Sequence, residues 1–335
     1  MSSTIPHHRN SGSIETEALS LVADIGATNA RFALAVSGSN ELIQPLTLLT
    51  RNFTSIFLAC REYLNHIADL HPSRACIAVA CPISGDHVSL TNNSWSFSIE
   101  EFRQELNVGR LMVVNDFKAL AAGVPRLAAE EIIQLGDGTP IPERPISVIG
   151  PGTGLGVATV VQYETGQIFL DGEGGHVSFA PGNERELEIL RLLSRQFNHV
   201  STERILSGDG IKTLFQTLAK IDGVAAPDLT ASSIVERAIS GSDSHCLEVI
   251  DIFCGVLGSF AGDLAMTLNS QGGVYIGGGI IPRIAKLLKD SSFRTRFEGK
   301  GRISSFIKNV PTYLIMTDRT ALTGAASLLF DDLKG

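Results

Sequence analysis

The sequence predicts an α/β protein of two lobes. Three observations carry that expectation. The chain has 335 residues, above the roughly 250–300 at which single cores stop growing. Short apolar strand segments alternate with helical ones, the mark of a largely parallel sheet. A strand, glycine turn, strand layout occurs twice, near residues 21–36 and 146–161, as two copies of one unit facing each other would give.

Met1 to Ser20 is polar and has no apolar stretch of a secretion signal. It is expected to be a disordered tail, with the fold starting at Leu21. Leu21 to Val36 reads as two strands around the turn Asp24-Ile25-Gly26-Ala27-Thr28-Asn29. Residues 54–70 have helical periodicity. Cys76 to Ala80 is continuously apolar, as in strands covered on both faces. Ile99 to Leu106 reads as a helix capped by Ser98, with acidic Glu100 and Glu101 in its first turn. Leu111 to Val114 is another buried strand. It runs into Asn115-Asp116 and a helix over 117–122. A Pro- and Gly-rich stretch follows, 136–145, and then the second glycine hairpin. Further on, Glu184 to Phe197 is read as a helix with Leu187, Leu190, Leu193 and Phe197 on its packed face. Two helices are expected in 210–240 and a long one over 245–269. Strands are placed at 273–276 and 313–316, and a last helix at 320–330. The boundaries expected are a small domain of 21–126 with 317–335 and a large one of 127–316.

Charge and composition exclude several classes. The formal net charge is −8, with no basic cluster of the kind nucleic-acid phosphates require. No apolar run is read as approaching the ~20 residues of a membrane span. The five cysteines have no metal-type spacing and read as buried small hydrophobes of a reducing cytoplasm.

Six segments carry chemistry. The turn at 24–29 would expose backbone N–H groups in an anion-binding concavity, with Thr28 adding a hydroxyl and Asp24 able to reach a phosphate-bound Mg²⁺ through water. Gly150-Pro151-Gly152-Thr153-Gly154-Leu155-Gly156 is a second such turn. A strand follows it, so it is not a dinucleotide fingerprint, and the chain has no P-loop. Asn115-Asp116 puts a carboxylate at a strand's carboxyl end, where α/β sheets bind ligands. It suits a general base, or alternatively an N-cap for the next helix. Gly172-Glu173-Gly174-Gly175-His176 presents Glu and His from a loop, suited to a polyol; a metal pair would need a helix. Glu203 is placed in the first turn of a helix, where acidic residues are favourable in any case. Gly277-Gly278-Gly279 after a strand admits close approach of a planar ring, and Pro282 suits the start of the next helix.

Taken in order, these segments resemble the bacterial glucokinase family of the hexokinase/actin/Hsp70-like ATPase superfamily. The anchors are 24–31, Ala80-Cys81-Pro82-Ile83-Ser84-Gly85, 91–95, Asn115-Asp116-Phe117, 152–156, 172–177 and 275–283. The resemblance implies a two-lobed, ribonuclease H-like fold with a cleft that closes over its substrates. It implies glucose and ATP with Mg²⁺ as substrates and cofactor, transfer to the sugar 6-hydroxyl as the first step of glycolysis, and a cytoplasmic homodimer. Asp116 matches the catalytic base. Asn115, Glu173, His176 and Glu203 match glucose-binding positions, with Asn92 or Asn93 beside them. Ala23, Asp24, Ile25, Gly26, Ala27 and Thr28 match the first phosphate loop; Gly152, Thr153 and Gly154 match the second. Gly278 and Gly279 match the family's strand–turn near adenosine.

The chain departs from the family at Ala27, usually Gly, and at Asp209 and Ser178, often Pro and Asp. The Ala27 Cβ would crowd the phosphates unless its φ stays negative, so Ala27→Gly is expected to lower the KM for ATP. Two rivals stand beside the kinase: a sugar-binding regulatory paralogue with weak activity, and a protein-binding ATPase. The second leaves Glu173, His176 and Glu203 without a shared purpose.

Overall fold

A computed structural model describes residues 19–39, 41–90, 94–164 and 166–332. The chain divides into two compact units, one of residues up to Val114 together with those from Ala325, the other Asn115–Gly324.

In the first unit, β1 (Leu19–Ile25), β2 (Asn29–Val36) and β3 (Leu42–Leu49) form an antiparallel meander. Then come α1 (Ile56–His66), β4 (Arg74–Val79), the small β5 (His87–Ser89) and β6 (Ser96–Ser98) ladder, α2 (Ile99–Glu105) and β7 (Arg110–Asn115). The sheet order is β3-β2-β1-β4-β7, with β4 parallel to β1. Ser98 caps α2 by accepting from the Glu101 N–H at 3.2 Å. The expected tail boundary is corrected: β1 begins at Leu19, which pairs with Val36 and is fully buried. Residues 1–18 lie outside the described residues. The core of this unit is Phe32, Leu34 and Ile25 with α1 side chains, including Tyr63 stacked on Phe32.

The second unit opens with α3 (Asp116–Gly123) and β8 (Ile132–Leu135). A second meander follows, β9 (Ile146–Pro151), β10 (Leu155–Tyr163) and β11 (Gly166–Gly172). Four helices come next: α4 (Glu184–Leu193), α5 (Gly208–Asp222), α6 (Ala231–Ser240) and α7 (Ser244–Thr267). The chain ends with β12 (Gly273–Ile276), α8 (Ile281–Asp290), α9 (Phe293–Glu298), α10 (Ser304–Ile307), β13 (Thr312–Ile315) and α11 (Thr320–Asp332). The sheet order is β11-β10-β9-β12-β13-β8, with β12 parallel to both β9 and β13. Its first five strands repeat the first sheet: a three-stranded meander, then two more strands beside its first. The repeat read in the glycine turns is therefore a repeat of sheet topology.

Three readings change. Helix α3, expected in the small domain, packs on β9, β10 and β11 and groups with the second unit. In α4 the fully buried line is Glu186, Ile189 and Leu193, while Leu187, Leu190 and Phe197 are only partly covered. The face is turned because Glu186 is held inside by both guanidinium nitrogens of Arg296. Finally, α7 is long and apolar enough to cross a membrane, unlike any segment expected from the sequence. Its apolar stretch is 72% buried, and it packs against α5, α6 and α9 as the central helix of the core.

Candidate active site

Glu173, His176 and Glu203, three of the polar residues singled out in the second unit, gather beside one hairpin, β9–β10. Its turn closes through the Gly152 N–H donating to the Gly154 carbonyl at 2.8 Å, and the Gly152 carbonyl accepts from the Gly208 N–H at the start of α5. A Cβ on Gly152 would meet nothing within 4 Å, and Thr153 is exposed, so the tip of this turn borders open space. Such a turn has the polarity to hold an anion.

Glu203 anchors the turn from below. Its Oε2 accepts from the Leu155 N–H at 2.8 Å, and a Cβ on Gly154 would stand 2.5 Å from that same oxygen. The other oxygen, Oε1, lies 3.9 Å from His176 Nε2, and Glu173 Oε2 lies 3.7 Å from the same nitrogen. Two carboxylates thus converge on one imidazole nitrogen. Glu203 does not open an α-helix as expected; it sits in a 3-10 turn, Thr202–Arg204, ahead of α5. Glu173 and His176 bracket another 3-10 turn, Gly174–His176. The two turns are tied together: Thr202 N–H donates to the Val177 carbonyl and Phe179 N–H to that of Val200. His199 Nε2–H donates to the His176 carbonyl at 2.8 Å. Both glycines between Glu173 and His176 are needed for close approach, since a Cβ on Gly174 would meet Val157 and one on Gly175 the Leu155 backbone.

Asn115 and Asp116 arrive on the same hairpin from α3. The cap of α3 is Asn115, not Asp116: Asn115 Oδ1 accepts from the Phe117 N–H at 2.9 Å and the Lys118 N–H at 3.2 Å. Asp116 Oδ1 also accepts from the Phe117 N–H, at 3.0 Å. The Phe117 ring lies against Gly150 and Gly156, next to Leu155. Glu173, His176 and Glu203 are therefore brought together beside residues 154–157, and Phe117, next in the chain to Asn115 and Asp116, packs on the same hairpin. Gly278, with φ +87°, packs on the Pro151 carbonyl, and Gly277 N–H donates to the Ile149 carbonyl, so the glycine run passes the last residues of β9 before the turn. Beyond it, a Cβ on Gly279 would meet nothing within 4 Å.

In the first unit, the turn after β1 is closed by the Gly26 N–H donating to the Asn29 carbonyl at 2.9 Å. Ala23 and Ile25 are buried strand residues that set its depth. Ala27 is not among the residues with positive φ, so its Cβ brings no backbone strain. Asp24 is paired with Arg31 at 3.1 Å. Sequence reasoning missed Thr50, whose Oγ1–H donates to the Ala27 carbonyl at 2.5 Å and whose N–H donates to that of Thr28 at 3.1 Å. No local pattern announces it, because the contact closes a loop of 23 residues. Asn92 and Asn93 lie outside the described residues.

Elsewhere, Asp222, His245 and Glu248 are close enough to share a metal ion. Arg185 already occupies both carboxylates, at 2.6–2.9 Å. Its guanidinium holds the Asp222 carboxyl below the usual range, so this is an ion-pair network joining three helices.

A family model described as Glucokinase matches residues 21–331. Glucokinase of Chromobacterium violaceum is 46% identical over 314 residues, covering 93% of this chain and 90% of that protein. Glucokinase of Salmonella schwarzengrund is 43% identical, covering 92% and 96%. Among solved structures, glucokinase from an Antarctic psychrotroph superposes with a TM-score of 0.83 at 38% identity, covering 94% of this chain and 99% of that one. A ROK-family glucokinase from Streptomyces griseus, solved with glucose and AMPPNP, has a TM-score of 0.64 at 18% identity over 92% and 98% of the two chains, and shares the fold alone. By sequence over nearly its whole length, and by fold, this chain belongs to the glucokinase family.

Proposed function

We propose that this protein transfers the terminal phosphoryl group of ATP to the 6-hydroxyl of glucose, giving glucose 6-phosphate and ADP. The observation that carries the proposal is the division of the Glu203 carboxylate between the glycine turn and His176. One side chain joins an anion-binding turn to a cluster of hydroxyl-binding groups. A phosphoryl transferase to a polyol needs both in one place.

In this reading Asn115, Glu173, His176 and Glu203 bind sugar hydroxyls, with Asn92 a further candidate. Exposed Glu173 and His176 await a partner that brings its own donors and acceptors. A site that hydrogen-bonds each hydroxyl rejects analogues lacking one by about 10⁴–10⁵-fold. Asp116 takes the proton from the 6-hydroxyl as the oxygen attacks the terminal phosphorus in line; the bond to the leaving ADP oxygen breaks. Gly152 closes the turn from which Thr153 and Gly154 offer amides and a hydroxyl to phosphate oxygens, Gly278 packs on the turn while Gly279 beyond it leaves room for the adenosine, and the 23–28 hairpin has the same phosphate-binding chemistry. Asp24, already charge-balanced by Arg31, fits an ion held through water rather than a direct ligand. Bound Mg²⁺ would supply charge neutralisation on the phosphates. The reaction stands at the entry to glycolysis, in a cytoplasmic homodimer.

A coupled assay of ATP turnover with and without glucose, run over several hexoses and phosphoryl donors, tests this. Glucose-dependent turnover is expected. Equal turnover without sugar would favour the protein-binding ATPase, and sugar binding without turnover the regulatory paralogue. Asp116→Asn is expected to fold and lose about 10²–10⁴-fold in kcat; near-normal turnover refutes the base assignment.

A further inference from the structure

We propose that Phe117 is a positioning residue for phosphoryl transfer: its ring, seated on a pair of facing glycines, sets the place of Asp116 relative to the glycine turn. The proposal rests on the kinase reading above.

Gly150 and Gly156 are cross-strand partners at the mouth of the β9–β10 hairpin. Neither has a positive φ, so backbone conformation does not require glycine at either position. What requires it is the ring. A Cβ on Gly150 would stand 2.6 Å from Phe117 Cζ, and one on Gly156 would overlap the far edge of the same ring. The aromatic face therefore rests directly on two backbones, where one rigid group replaces two missing side chains. The other residues of β9 carry buried side chains, Ser147, Val148 and Ile149 among them, as do Leu155, Val157 and Ala158 of β10.

The backbone of the same residue holds the polar pair. Phe117 N–H donates to Asn115 Oδ1 and to Asp116 Oδ1. Phe117 is thus fastened at one end to the strands that carry residues 152–154 and at the other to the proposed base. It lies at the first turn of α3 and is only partly buried, at the margin of a small cluster with Leu120, Val148 and Val160. An aromatic needed solely for burial would be better placed deeper in that helix, where Ala121 and Ala122 stand instead. Reacting atoms must be held near 3–3.5 Å, and a displacement of about 1 Å can cost about 10²-fold in rate. Shortening this spacer shifts α3 towards the hairpin or loosens it, and the base moves with it.

The test is steady-state kinetics on Phe117→Leu, Phe117→Ala, Gly156→Ala and the Phe117→Ala/Gly156→Ala double variant, with thermal melts to verify folding. Phe117→Leu is expected to lower kcat about tenfold or more, with the KM values for glucose and ATP within about threefold, since binding groups stay in place. Gly156→Ala, which pushes the ring away, is expected to lower kcat as well. In the double variant the new methyl has no ring to displace, so its loss should not exceed that of Phe117→Ala alone. Wild-type kcat in Phe117→Leu, a loss confined to KM, or additive losses in the double variant would overturn the proposal. If Phe117→Ala does not fold, Phe117→Leu and Gly156→Ala alone decide by the same kcat-against-KM split. A wild-type chain without glucose-dependent turnover would instead sink the kinase reading, before any variant is compared.

Discussion

Replacing Glu203 separates its two attachments. If Glu203 only binds sugar, its loss changes glucose affinity alone. The structure says more: Oε2 is an acceptor for the Leu155 N–H at 2.8 Å, directly after the glycine turn. A hydrogen bond to a charged group contributes about 1.5–3 kcal/mol, and removing it leaves an amide unpaired. Leu155 is buried, so no full hydration shell replaces the lost acceptor. If the turn must be ordered to grip phosphate, Glu203→Ala weakens nucleotide affinity by about 10–100-fold, since each 1.4 kcal/mol is tenfold. Glu203→Gln keeps a carbonyl acceptor of the same reach and gives up only the charge, so a loss of about fivefold is expected. The assay is calorimetric titration of AMPPNP into protein without glucose, then of glucose without nucleotide. Unchanged AMPPNP affinity in Glu203→Ala, with glucose affinity lost, would refute the anchoring role.

Glu186→Ala removes a buried carboxylate and leaves the partly buried Arg296 guanidinium charged and without that partner. Breaking one side of a buried pair costs about 3–5 kcal/mol; a calorimetric Tm lowered by roughly 6–15 °C is expected, and a shift under 2 °C would disprove it. The five cysteines are all buried. Burial pushes the Cys254 thiol up to about 12 and Cys246 up to about 11, and Cys60 higher than its usual value. The thiolate is the reactive form, so a disulfide reagent at pH 8 should find the thiols inert in the folded chain and reactive after denaturation. Fast labelling of the native protein would contradict this. Because φ at Ala27 is not positive, its methyl is expected to be accommodated in the proposed phosphate loop, which replaces the expectation drawn from the sequence: Ala27→Gly should leave the KM for ATP within about twofold and lower stability by about 0.4–1 kcal/mol through the freer unfolded chain. A clearly lowered KM would show that the methyl does hinder the nucleotide.

Much of this protein was readable along the chain, because the signals involved are local. Glycine turns between apolar runs announce hairpins, so the first two strands of each meander and their repeat could be seen. Asn115-Asp116 at the end of an apolar strand, and Glu173 and His176 in a glycine-rich turn, stand out by type and neighbours. Strand β3 was missed. It is an edge strand interrupted by Pro45 and by Gln44 at φ 52°, with a register shift opposite, and these erase the period-two pattern. Strand β11 is another edge whose outward residues, Ile168 and Leu170, are half exposed.

What the tertiary structure alone decided is who meets whom across long stretches of chain. Glu203 reaches Leu155 across 48 residues, Arg296 reaches Glu186 across 110, and the Phe117 ring finds its glycine pair only when the hairpin closes beneath α3. Periodicity and turn chemistry act over a few residues. Contacts of this kind depend on the closure of the whole sheet, and a residue type in a row of letters carries no record of the partner that folding will bring to it.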